Sequence, residues 1–125
     1  MIAVDTSSWI AYFSRAQGPD VEATQLAIES KRAVLPPVVL TELFSDPVLP
    51  AIARELLTQL PFLQVVEGYW QRAGVLRAKV ISLGLKARLA DSLVAQSCLD
   101  HDVPLITRDA DFRHFVRLAG LRLFP

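Results

Sequence analysis

Apolar residues run along this chain in two rhythms. Short apolar-rich segments at 2–5, 33–35, 62–66, 104–107 and 121–124 have the length and the bounded ends of buried strands. Between them, apolar positions recur every three or four residues, which is helical spacing. That spacing predicts helices over 7–16, 20–31, 38–45, 50–60, 67–83, 89–101 and 109–118. In the second of these, Val21, Ala23, Leu26 and Ala27 are expected to form one face. Breakers fall at the joints. Gly18-Pro19 stops the first helix, Pro36-Pro37 opens the third, Asp46-Pro47 ends it, and Gly84 closes the longest. Strands alternating with helices predict an α/β fold on a mainly parallel sheet. No repeat, linker or low-complexity stretch divides the chain, so residues 1–125 read as a single domain.

Composition narrows the picture. The chain is 52% hydrophobic with mean hydropathy +0.35, which implies a large buried fraction or an apolar face used in assembly. No apolar run approaches the roughly 18–20 residues of a membrane span. Asp5 interrupts the apolar start and no basic segment precedes it, so no signal peptide is expected. The single cysteine, Cys98, excludes an internal disulfide and fits a reducing cytoplasm. With 13 basic and 13 acidic residues the net charge is zero. That argues against coating nucleic acid through bulk charge, and leaves room for an enzyme that grips a few phosphates locally.

The candidate chemistry lies in the acids. Ile2-Ala3-Val4 runs into Asp5, and Pro104-Leu105-Ile106-Thr107 runs into Arg108-Asp109-Ala110-Asp111. Each is a short strand ending near a carboxylate and turning into a helix. In open parallel sheets, ligands bind beyond the carboxyl ends of strands. Asp5, Asp109 and Asp111 also suit helix caps and turns. Asp91, in the first turn of a mostly apolar helix, is favourable there through the helix dipole. Glu42, within Val38-Val39-Leu40-Thr41-Glu42-Leu43-Phe44, is expected on an apolar surface, where an unpaired carboxylate costs free energy. Each acid has its ordinary structural explanation. A shared divalent cation, which prefers several carboxylate oxygens, would account for Asp5, Glu42, Asp91 and Asp109 together.

At this point the sequence resembles the PIN domain family, and within it the VapC-type toxin ribonucleases. The resemblance rests on Val4-Asp5-Thr6-Ser7-Ser8-Trp9-Ile10-Ala11, Thr41-Glu42-Leu43, Ala90-Asp91-Ser92-Leu93-Val94-Ala95 and Thr107-Arg108-Asp109-Ala110-Asp111-Phe112, in order along nearly the whole chain. It implies a three-layer α/β/α sandwich. It also implies Asp5, Glu42, Asp91 and Asp109 around Mg²⁺ or Mn²⁺, with Asp5, Asp91 and Asp109 as direct ligands and Glu42 acting through a water. Thr6, Ser7 and Asp111 would support the site. The implied activity is hydrolysis of RNA to 5′-phosphate and 3′-hydroxyl ends, with an antitoxin protein as partner and a homodimer as the assembly. Crowded carboxylates also attract arginine, so an antitoxin tail could inhibit by placing one among them. One departure is the sharp break at Ser45-Asp46-Pro47 after Glu42, which bears on the neighbouring groove.

Arg15, Lys86, Arg88, Arg108 and Arg113 flank the acidic segments and are candidate phosphate contacts, though most surface cations are simply solvated. His101 and His114 lack partner spacing for a metal or a catalytic dyad. Trp9 and Trp70 are expected in core or assembly positions. A receiver domain would need paired acids after the first strand and an Asp ending a middle strand. A haloacid-dehalogenase-like phosphatase would need Asp at position 7, which is Ser. A PIN fold that binds RNA or a partner without cutting remains as the non-enzymatic alternative, as does an RNA-processing nuclease with no antitoxin.

Overall fold

The computed structural model describes all residues, Met1–Pro125. Its centre is a parallel three-stranded sheet in the order β2-β1-β3, formed by β1 (Ile2–Val4), β2 (Ala33–Val34) and β3 (Leu105–Ile106). Ile2 and Ala3 pair with Ala33 and Val34, while Ala3 and Val4 pair with Leu105 and Ile106. All seven strand residues are buried, which is why each strand reads as an unbroken apolar run.

Helices α1 (Thr6–Phe13) and α2 (Pro19–Glu29) link β1 to β2. Helices α3 (Pro37–Phe44), α4 (Ala51–Thr58), α5 (Tyr69–Ser82) and α6 (Leu89–His101) lead from β2 across β1 to β3. The two crossovers run in opposite directions across the sheet. Since such connections are right-handed, their helices cover opposite faces, giving the expected α/β/α layering. The chain then makes a 3-10 turn (Ala110–Phe112) and α7 (Arg113–Ala119). Trp9, Phe112 and Phe115 are the largest fully buried side chains, set in one core with the strand residues and Val39, Leu57 and Val80.

Four expectations are corrected. The segment 62–66 contributes only one parallel bridge, Phe62 to Leu35, and 121–124 only one, Leu123 to Leu105. Both lie at sheet edges and their outer residues face solvent, so nothing extends the ladder. The inward face of α2 is Asp20, Ala23, Thr24 and Ala27, whereas Leu26 is 59% exposed. Small side chains let this helix lie close to β2 and β3. The helix expected over 109–118 is divided between the 3-10 turn and α7. Finally, Glu42 is not submerged among its apolar neighbours. Only Val39 and Leu43 of the eight-residue α3 are buried, and Glu42 is exposed at the rim.

Candidate active site

Opposite crossovers leave the carboxyl ends of β1 and β3 adjacent at the point where the strand order reverses, the usual place for a ligand crevice. The Asp5 N–H donates to Ile106 O at 2.9 Å, so the residues that follow the two strands emerge side by side. Asp5 is both the N-cap of α1 and part of this junction. Its Oδ2 accepts from the Ser7 hydroxyl at 2.8 Å and from the Thr107 hydroxyl at 3.1 Å. Burial raises the Asp5 pKa, and the hydrogen bonds from Ser7 and Thr107 oppose the rise.

Thr107 is a residue that sequence reasoning passed over. Its hydroxyl donates to Asp5 and accepts the Asp109 N–H at 3.0 Å, so one oxygen links two acids. The signal was its position, as the polar residue between the last strand residue and the next acid. Asp109 in turn caps the 3-10 turn, its Oδ1 accepting the Asp111 N–H at 2.9 Å. Asp111 lies 3.8 Å from Lys86 Nζ, which gives both residues a local ion pair at the edge of the site. Across the junction, the Thr6 hydroxyl donates to Glu42 Oε1 at 2.7 Å, orienting the exposed carboxylate from the first turn of α1.

Asp91 carries the clearest electrostatic signature. Half-buried in the first turn of α6, its pKa is pushed up to about 7. Burial is the main cause, followed by the negative charges of Asp5, Asp109 and Glu42, with Arg88 pulling the other way. The four acids expected to act together therefore share one electrostatic neighbourhood. Clustered carboxylates with perturbed pKa values in a crevice are characteristic of functional sites. The donor set is entirely hard oxygen, which suits Mg²⁺ or Mn²⁺ and not a soft metal. In the present arrangement no three His, Cys, Asp or Glu side chains are close enough to hold a metal ion jointly.

The cations divide. Arg88 is the positive charge that Asp91 senses, and Arg15 and Arg113 are exposed. Arg108 is instead engaged with Asp20, its Nε at 2.8 Å from Oδ2 and its Nη2 at 3.0 Å from Oδ1. His101 Nε2 lies 2.7 Å from Gln64 O, while the buried Nδ1 of His114 has no partner; neither ring is among the groups that shift Asp5 or Asp91. Burial pushes the Cys98 thiol up to about 12, leaving it unreactive. Trp9 is wholly buried, and Trp70 is 63% exposed.

The PIN domain family model matches residues 2–118. The chain belongs to the PIN domain family. Two curated PIN relatives, VapC ribonuclease Mb1587 of Mycobacterium bovis and ribonuclease VapC11 of Mycobacterium tuberculosis, are each 30% identical over 131 residues, spanning 98% of this chain and 96% of theirs. Among solved structures, VapBC2 from Rickettsia felis bound to a DNA fragment from its promoter superposes with TM-score 0.73 at 21% identity, over 99% of this PIN domain and 98% of the matched chain. That likeness shows the fold.

Proposed function

We propose that this PIN domain is a divalent-metal-dependent endoribonuclease and the toxin of a toxin–antitoxin pair. The observation that carries the reading is the acidic neighbourhood beyond β1 and β3, where burial and the charges of Asp5, Asp109 and Glu42 together raise Asp91 to about 7. The curated relatives named as ribonucleases support RNA as the substrate.

Asp5, Asp91 and Asp109 would hold the cation, with Asp5 fixed by Ser7 and Thr107 and Asp109 fixed through its turn. A divalent cation bound there acidifies water and offsets the charge that grows on the phosphate during attack. Glu42, held by Thr6 and open to solvent, would orient the attacking water or take its proton. Arg15, Arg88 and Arg113 are the cations available to the RNA backbone, with Lys86 reachable if its long ion pair to Asp111 opens. Water adds to the phosphorus, the bond to the 3′ oxygen breaks, and that oxygen takes a proton from solvent water to leave as a hydroxyl, while Glu42 returns any proton it has taken to solvent.

The test is cleavage of a mixed RNA substrate. Activity is expected with Mg²⁺ or Mn²⁺, lost in EDTA and restored by excess cation. Cleavage that persists unchanged in EDTA, or that survives Asp5→Asn at the wild-type rate, rules the mechanism out.

Two partner surfaces accompany this reading. One is a cleft of about 240 Å³ beside Glu42, lined by Ile10, Phe13, Leu43, Leu49 and Pro50 with the acid Asp46 at its edge. Its chemistry suits an amphipathic antitoxin segment with apolar residues and a basic end. The break at Ser45-Asp46-Pro47 shapes this cleft. The other is the side of α5 on which Trp70 and Ile81 are exposed in one stripe, a surface suited to a second copy of the chain. Light scattering on the chain alone should give twice the 13.8 kDa chain mass at tens of micromolar, with Trp70→Glu reducing it to monomer. A wild-type monomer at that concentration removes the dimer.

A further inference from the structure

Asp20 is an acid that the nuclease reading leaves unused, and its surroundings are unusually complete. It lies in the first turn of α2, with its side chain only 10% exposed. Both carboxylate oxygens face the Arg108 guanidinium, Oδ2 receiving Nε at 2.8 Å and Oδ1 receiving Nη2 at 3.0 Å. Oδ2 also accepts the Ser8 hydroxyl at 2.8 Å, and Arg108 Nη2 donates to Gln17 O at 3.1 Å. Pairing with Arg108 holds the Asp20 pKa below the usual carboxylate range.

The residues joined here are significant for their neighbours in sequence. Ser8 lies one helical turn beyond Asp5 in α1. Arg108 lies between Thr107 and Asp109. The two sides of this short segment are engaged in opposite directions. Thr107 and Asp109 are joined to each other beside Asp5, while Arg108 reaches away to α2. One buried carboxylate therefore ties the segment that follows β1 and the segment that follows β3 to the same point. Gly18 is part of this arrangement. It has φ +148, and a Cβ there would come 2.7 Å from Asp20 Oδ1 and 3.1 Å from Arg108 Nη2. Only glycine leaves room for the fork.

We propose that Asp20 and Arg108, admitted by Gly18, form a positioning clamp that sets where Thr107 and Asp109 stand relative to Asp5. The pair acts through those residues and touches no substrate. The catalytic consequence rests on the nuclease reading; the geometric one does not.

The test uses the full chain with Asp20→Asn, Arg108→Gln, Arg108→Lys and the Asp20→Asn/Arg108→Gln double variant, all assayed well below their melting temperatures. Each single variant should lower kcat about 10-fold to 100-fold, the range expected of a small misplacement of reacting groups, with KM for RNA unchanged. The double variant should be no worse than either single one, because all break one link. Arg108→Lys keeps the charge but loses the fork, so it should behave like Arg108→Gln. Amide NMR shifts of Thr107 and Asp109 should move in Asp20→Asn, although position 20 is far away in sequence. A raised KM with unchanged kcat in Arg108→Gln, with Asp20→Asn at wild-type activity, would make Arg108 a phosphate contact and overturn the clamp. Lower melting temperatures with wild-type kcat and unmoved amides would overturn it too. If the wild-type chain cuts no RNA, the nuclease reading falls and the amide shifts alone decide for or against the clamp.

Discussion

Asp91→Asn is expected to abolish RNA cleavage and, at pH 8 without metal, to leave a more stable protein. The first effect should reach at least about 100-fold, the scale seen when a preorganised charge at the reacting centre is removed. The second follows from the Asp91 pKa, about 7 in the folded chain against an ordinary value of 3.8. Below the ordinary value both folded and unfolded chains hold the proton and no penalty exists. As pH rises toward 7 the unfolded chain releases it more readily, so wild-type stability declines, and above 7 the loss is complete. Asparagine is neutral throughout and escapes the decline. The gap between variant and wild type should therefore open from about pH 4 to pH 7 and then stay constant. Allowing for the half-exposed position and for salt, it should reach about 1–2 kcal/mol. Adding Mn²⁺ should reverse the order, because a ligand stabilises only the chain that binds it. Paired thermal melts across pH, with and without Mn²⁺, measure both effects. A variant no more stable than wild type at pH 8 contradicts the shared-charge account of the crevice.

Phe112→Ala should have the largest effect on stability. Phe112 is fully buried, its ring centroid 5.7 Å from that of Phe115, and it ends the turn begun by Asp109. Truncating a buried phenylalanine leaves a cavity and costs about 3–5 kcal/mol. For a domain of this size that lowers the melting temperature by on the order of 10–20 °C. Denaturant titration and a thermal melt measure it. A loss below about 1 kcal/mol would mean that the turn is not anchored by the core at this residue. Cleavage should fall as well, even where the variant is folded, because the same ring holds the backbone that presents Asp109 and Asp111.

What was legible in the sequence was local. Ile2-Ala3-Val4 before Asp5 and Leu105-Ile106 before Thr107 announce buried strands ending at polar groups, and the structure places them side by side. What was not legible depended on the surface an element meets. Hydrophobicity alone selects Leu26 for the inner face of α2, yet the sheet requires the small Ala23, Thr24 and Ala27. Phe62 and Leu123 read as strand residues, but whether a ladder forms at an edge depends on neighbours the sequence does not name. Glu42 looked submerged because its neighbours are apolar, whereas a short helix buries only one side. Arg108 looked like a free cation, because its partner Asp20 is 88 residues away and is brought to it only by the fold.

The central strand lies near the start of the sequence, and one of its two neighbours comes only after a hundred further residues. Asp5 and Thr107, joined by one hydrogen bond, are 102 positions apart. During synthesis β1 can pair with β2 early, but its other edge must wait until residues 105–106 have left the ribosome. Until then the crevice has one wall, and Asp109 is not beside Asp5. A nascent chain of this architecture gains the second wall of the crevice only after β3 has been made, so the order of synthesis is also the order in which the acids are brought together.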